Sequence, residues 1–341
     1  MKIRLGIIGA GFGEKVHVEA FRRNALCEVV AIAASSGAKA EAAAGRQKIP
    51  KYFGDWKKLI GDSAVDAVSI AVPPYAQPEM ALAALEAKKP VFCEKPLSIF
   101  VREAEALAAK AQGARVANMV DFEFPEIPAW QKAREILGKG TIGALRHASV
   151  QWNLESYAVR EGVDSWKTRS EKGGGALYAF VSHTFYYVEW LLGRIRRISP
   201  SFFKRAGAPA SGETLVNLVL ELESGALVLV SMSTHSFLGS GHRLEFYGSE
   251  GTLILENPTP DYIRGFQVKL GTRKTAKFEE VKVVEMAREG EDGRISAVSS
   301  LAGRFLKWIQ TGEPEAPTFE HGLRVQRLIE LARVSAGPAS A

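Results

Sequence analysis

The sequence predicts an α/β Rossmann domain followed by an α+β domain with a large, mainly antiparallel open sheet. Three observations predict it. A glycine-rich loop, Gly9-Ala10-Gly11-Phe12-Gly13, follows an apolar β-branched run and opens a helical segment. The first third of the chain alternates short apolar runs with helical patterns, which argues for parallel strands joined by crossover helices. Beyond about residue 122 the pattern becomes a series of alternating stretches separated by turn signals, which argues for antiparallel hairpins.

Taken in order, residues 3–8 read as the first strand and 14–24 as a helix with Val16, Ala20 and Phe21 on one side. Strands are expected at 29–34, 67–72, 91–93 and 116–120, and helices at 38–45, 78–87 and 102–112. This domain is set at residues 1–122 and the second at 123–341. In the second, helices are expected at 130–137, 176–192, 297–310 and 320–335, and strands at 145–154, 215–222, 226–234, 243–247 and 252–255. Glu223-Ser224-Gly225 and Gly248-Ser249-Glu250-Gly251 supply turns between them. The small-residue tail after Gly337 is expected to fray.

With 341 residues, 46% hydrophobic and 24% charged, the chain has the composition of a folded two-domain protein. A net charge of +6 without a concentrated basic stripe argues against nucleic-acid binding. No run approaches the ~18 apolar residues of a membrane span, and the N-terminus reads as a strand rather than a signal peptide. Cys27 and Cys93 offer neither a disulfide framework nor metal-ligand spacing. A reduced, cytoplasmic compartment and no metal site are the resulting expectations.

In the glycine loop, Gly9 permits the tight turn, Gly11 lets the backbone approach a pyrophosphate, and Phe12 and Gly13 lead into the helix. Glu14 stands where the fingerprint wants a sixth small residue, with a glycine one place early at Gly13. The second strand ends at Ser35-Ser36, with Lys39 nearby. An NAD site places an acid there for the ribose hydroxyls. Two hydroxyls and a cation favour the 2′-phosphate of NADP, with NAD as the alternative. The 91–93 strand runs into Glu94-Lys95-Pro96. A lysine at that carboxyl end can bond a substrate oxygen and move a proton during hydride transfer.

The glycine loop, Val72-Pro73-Pro74-Tyr75, Glu94-Lys95-Pro96 and Gly173-Gly174-Gly175-Ala176 leading to Ser182-His183 occur in one order. That order resembles the Gfo/Idh/MocA family of NAD(P)-dependent oxidoreductases over nearly the whole chain. The resemblance implies that Lys95 is the catalytic lysine, that Glu94 and the Val72, Pro73, Pro74 and Gln77 loop lie at the cofactor, and that the Lys95–Pro96 bond is cis. It assigns His183 to the histidine on the long helix of the second domain. Two positions depart from the pattern. Ala179 replaces an aspartate four residues before that histidine, and Gln77 stands where a histidine is common.

Asp121, Glu123, Trp152, Trp166, Lys167 and Tyr187 fall in segments that line the substrate pocket in that family. Aromatic faces and charged groups suit a polyhydroxylated ring. His17 reads as structural. The expected activity is hydride transfer between NAD(P) and a secondary alcohol or ketone of a sugar- or cyclitol-like compound. Ala179 motivates one alternative, an NAD(P)-binding sensor without turnover. Redox-neutral chemistry on tightly held NAD is another. A homo-oligomer, dimer or tetramer, is expected because the second-domain sheet would otherwise expose Val228, Val230 and Met232.

Overall fold

The computed structural model describes residues 2–204, 211–288 and 290–336. The tail after Gly337 lies outside them. The chain forms two compact units. The first contains residues up to Glu123 together with Ala287–Gln326, and the second contains Phe124–Met286 and the residues from Arg327 on. The division is therefore not the contiguous one expected at 122/123: a late segment returns to the first unit.

The first unit holds β1 (Ile3–Ile8), a π-helical turn (Gly13–His17) continuing into α1 (Val18–Arg22), β2 (Cys27–Ala33), α2 (Gly37–Gln47), β3 (Lys51–Phe53), α3 (Trp56–Gly61), β4 (Ala67–Ile70), α4 (Gln77–Glu86), β5 (Val91–Cys93), α5 (Val101–Ala114) and β6 (Asn118–Val120). The strands form one sheet in the order β3-β2-β1-β4-β5-β6, with every neighbouring pair parallel. Helices cover both faces, so the central strands are buried and read as continuous apolar runs. The order reverses between β1 and β4, and ligands of such sheets bind beyond the carboxyl ends at that point. The sequence reading missed β3 and α3, which are short and flanked by charged residues.

The second unit opens with α6 (Pro128–Gly138) and β7 (Leu145–Asn153). The short α7 (Tyr157–Arg160) follows, then a second π-helical turn (Leu177–Val181) leading into α8 (Ser182–Leu192). β8 (Ile195–Phe203), β9 (Leu215–Leu222), β10 (Leu227–Ser233), β11 (Gly241–Gly248), β12 (Gly251–Asn257), β13 (Gln267–Thr272) and β14 (Phe278–Val281) complete its sheet, in the order β14-β13-β12-β11-β7-β10-β9-β8. Pairing is antiparallel except between β7 and β10. The strands the sequence reading missed are β8, β13 and β14. The two edge strands, β8 and β14, carry charges, and β8 carries Pro200, as edge strands do to block further pairing.

β10 corrects one expectation. Val228, Val230 and Met232 point into the core, while Leu227 and Leu229 are exposed. Alternation along the strand was right and the face was inverted.

α9 (Arg294–Thr311) belongs to the first unit, where Ile295, Val298, Leu301 and Phe305 join the core beside Phe21 and Phe92. The ring of Phe305 lies 5.7 Å from that of Phe92. α10 (Phe319–Ser335) ends the described chain. Among the described residues no helix is long and apolar enough to cross a membrane.

Candidate active site

The loop after β1 has the shape of a phosphate cradle. Gly9 has φ +122°, and a Cβ there would lie 2.2 Å from the Ala71 carbonyl oxygen, a contact backbone cannot relieve. At Gly11 a Cβ would meet nothing within 4 Å, so open space lies over the turn at the start of the helix. Gly13 makes the close helix–strand contact: a Cβ there would lie 3.0 Å from Ile7 Cγ2. The small residue displaced by one position thus still does its packing job. Glu14, in the place of the sixth small residue, is buried and accepts two hydrogen bonds from Arg46, at 2.7 and 2.9 Å. Phe12 lies beneath the guanidinium of Arg294, 5.0 Å from its ring centre. These residues fit a dinucleotide, whose pyrophosphate would sit over Gly11 at the helix start.

At the end of β2, Ser35, Ser36 and Lys39 are exposed. Ser36 caps α2 by accepting from the Lys39 backbone N–H at 3.3 Å, and Lys39 Nζ donates to Ser35 Oγ at 3.4 Å. Val72 and Pro73 are partly exposed after β4, whereas Pro74 is buried.

The carboxyl ends of β1, β4, β5 and β6 lie side by side. Ala71 N–H donates to Ile8, Glu94 N–H to Ile70 and Asp121 N–H to Cys93. This brings together residues far apart in sequence. His17 is fully buried. Its Nδ1 meets Ser69 Oγ at 2.7 Å, and its Nε2 meets Glu94 Oε1 at 3.0 Å and Asp121 Oδ2 at 3.3 Å. Phe12 and Phe92 wall the ring edge-on. Burial alone would disfavour the imidazolium, but the bonds to Asp121 and Glu94 outweigh it and lift His17 to about 9. Burial also opposes the Glu94 anion; the His17 bond, the imidazolium charge and Lys95 prevail and hold its carboxyl below the usual range. Asp121 is pushed up by burial and by the Glu94 charge, and Glu123 by burial and by the Asp121 charge. The ligand-type atoms of His17, Glu94 and Asp121 lie within 4.8 Å of one another.

Lys95 follows Glu94 and its bond to Pro96 is cis. Gln77 is fully buried and its Nε2 donates to the carbonyls of Glu94 at 2.6 Å, Pro96 at 3.1 Å and Leu97 at 3.3 Å. It clamps the lysine turn. Asp121 is 1% exposed and lies against His17, and Glu123 is buried near it.

In the second unit, His183 on α8 is buried and meets Phe124 edge-on at 5.0 Å. Ala179, four residues earlier, is half-buried. Trp152 and Tyr187, expected at the substrate, are buried among aromatic neighbours. Trp152 stacks flat on His242 at 4.2 Å, and the Tyr187 hydroxyl meets His242 Nε2 at 3.0 Å. Trp166 is half-buried and Lys167 exposed, on the short turn Trp166–Thr168. The sequence reading missed His242, Phe124 and the partners of His17. For His17 a signal existed: a histidine one turn past the glycine loop, on a helix that must face the sheet.

The parallel sheet with its glycine cradle, joined to a second unit built on an open antiparallel sheet, defines an NAD(P)-dependent oxidoreductase. Residues 3–122 match the oxidoreductase family with an NAD-binding Rossmann fold, and residues 130–254 match the GFO/IDH/MocA C-terminal domain. The chain belongs to the Gfo/Idh/MocA family. It is 30% identical to an uncharacterized oxidoreductase of Synechocystis sp. over 346 residues, covering 97% of this chain and 93% of that protein. It is 27% identical to inositol 2-dehydrogenase of Rhizobium meliloti, covering 97% of this chain and 96% of that protein. The solved structure of levoglucosan dehydrogenase with NADH and levoglucosan shares the fold, with a TM-score of 0.88 at 22% identity over 98% of this chain and 97% of that one.

Proposed function

We propose that this protein transfers a hydride between a nicotinamide cofactor and a secondary alcohol or ketone of a sugar- or cyclitol-like compound. The observation that carries the reading is Lys95, set directly after β5 at the carboxyl edge of the sheet in a turn clamped by Gln77. Relatives named for inositol and levoglucosan support the substrate class. The nicotinamide supplies the hydride acceptor or donor when bound. Lys95 Nζ takes the hydroxyl proton in oxidation and returns it in reduction. His183, on α8 of the second unit, is kept as a second candidate hydrogen-bonding residue. Ser35 and Lys39 favour NADP over NAD, since a hydroxyl and a cation suit a phosphate better than a diol.

A panel of keto-sugars and cyclitols, run in parallel with NADH and NADPH, tests both statements. Lys95→Ala is expected to lower kcat by about 10²–10⁴-fold with cofactor binding retained. Full turnover in that variant sinks the assignment, and a clear NADH preference sinks the NADP reading. Ala179 favours a second reading, a sensor that binds cofactor without turnover. Tight binding with no oxidation across the panel would support it.

We further assign the outer face of the second-unit sheet, with Val219, Leu227 and Leu229 exposed, to contact between copies of the chain. A monomeric mass by light scattering at micromolar concentration refutes this.

A further inference from the structure

We infer that His17 is a positioning residue for Lys95, acting through Glu94: it holds the Glu94 carboxylate in place and supplies its counter-charge. The inference rests on the reading of Lys95 as the acid/base. The geometry is a bridge. Glu94 Oε1 faces His17 Nε2 at 3.0 Å, while Oε2 accepts from the backbone N–H of Lys95 itself at 3.3 Å. On the far side of the ring, Ser69 Oγ at 2.7 Å fixes the imidazole plane. The carbonyl of Glu94 is held separately by Gln77 at 2.6 Å. The backbone that carries Lys95 is thus pinned through both the side chain and the carbonyl of the residue before it.

Both carboxylate oxygens face Nε2, which carries a single N–H in either protonation state, and Ser69 Oγ can donate to or accept from Nδ1. The charge of two acids beside a ring sealed from water selects the protonated form. The charged and titratable groups around it are Glu94, Lys95 and Cys93 from the β5 end, and Asp121 and Glu123 from the β6 end. The remaining walls, Phe12, Phe21 and Phe92, are uncharged. Without the imidazolium, Glu94 and Asp121 share one buried space as two acids, and Glu94 keeps only the support of Lys95 for its charged form. Glu94 then takes up a proton as the pH falls toward neutrality, and its grip on the lysine turn loosens.

The test uses the whole protein. In His17→Gln the acid limb of kcat/KM is expected to move to higher pH by on the order of one unit, with cofactor affinity unchanged. Ser69→Ala, which keeps the ring and frees its plane, is expected to move the limb the same way by less. NMR of the histidine rings gives a readout that needs no substrate: His17 should remain protonated at pH 8. Titration of His17 at or below the ordinary histidine value overturns the inference. So does an unmoved acid limb in a folded His17→Gln. So does activity that is lost to a chelator and restored by a divalent cation, which would hand the cluster to a metal. A fully active Lys95→Ala removes the underlying reading and leaves the NMR result standing. An inactive Lys95→Ala with an unmoved acid limb in His17→Gln removes only this inference.

Discussion

His17 in the first unit and His242 in the second are both buried, yet their surroundings favour the charged ring in one and the neutral ring in the other. Two carboxylates overcome burial and lift His17 to about 9. His242 has an indole stacked on one face and a tyrosine hydroxyl on Nε2, and burial alone lowers it to about 3. The depth is the same and the neighbours differ. The first unit gathers charge where strand ends converge. The second builds an uncharged aromatic block from Phe124, Trp130, Trp152, Tyr187 and His242. A proton can be held or moved in the first environment and is expelled from the second.

The comparison predicts that the two clusters fail differently. Trp152→Ala should cost the most, about 3–5 kcal/mol, because a large buried side chain is deleted from a packed block. The loss should be the same at pH 6.5 and pH 9, as no charge is involved. Denaturant unfolding measures it, and a strong pH dependence would show that the block is not apolar in its energetics. His17→Gln should behave otherwise. The folded value of His17 lies above its unfolded value, so its stabilisation is complete below about 6.5 and is lost as pH rises through about 9. The stability gap between wild type and variant should therefore narrow over that window, by a few kcal/mol at most. A gap constant from pH 6 to pH 9.5 would mean that His17 is neutral when folded.

The fold was legible where local chemistry decides it. The glycine loop, the buried strands β1, β2 and β4, and the long helices α8 to α10 all announce themselves by spacing. Edge strands did not, since their charges and proline serve to block pairing and mimic loops. On β10 the period of two was plain, but alternation cannot say which face is covered. The candidate site was legible at the level of motifs, in Lys95, Glu94 and the glycines. Depth was not: Asp121, Gln77, Trp152 and Tyr187 have side chains that suit a ligand, and the structure buries each of them. The partners of His17 are the clearest case. Ser69 lies 52 residues away and Glu94 lies 77 away, so only the parallel strand order brings them together.

The smallest predicted effect isolates the second histidine. His242 has a folded value below its unfolded one, so folding keeps a neutral ring that the unfolded chain would protonate. Its contribution is intact above about 6.5 and is lost as pH falls toward about 3. His242→Phe preserves an aromatic face for Trp152, and Thr184 still bonds the Tyr187 hydroxyl at 2.9 Å. Relative to this variant, the wild type should lose up to roughly 1.4 kcal/mol per pH unit below that point, and nothing above it. Urea midpoints at pH 7, 5.5 and 4.5 read the slope. Parallel pH dependence in the two proteins would mean that His242 takes up its proton in the folded state. The aromatic block would then be no different in kind from the charged cluster at the strand ends.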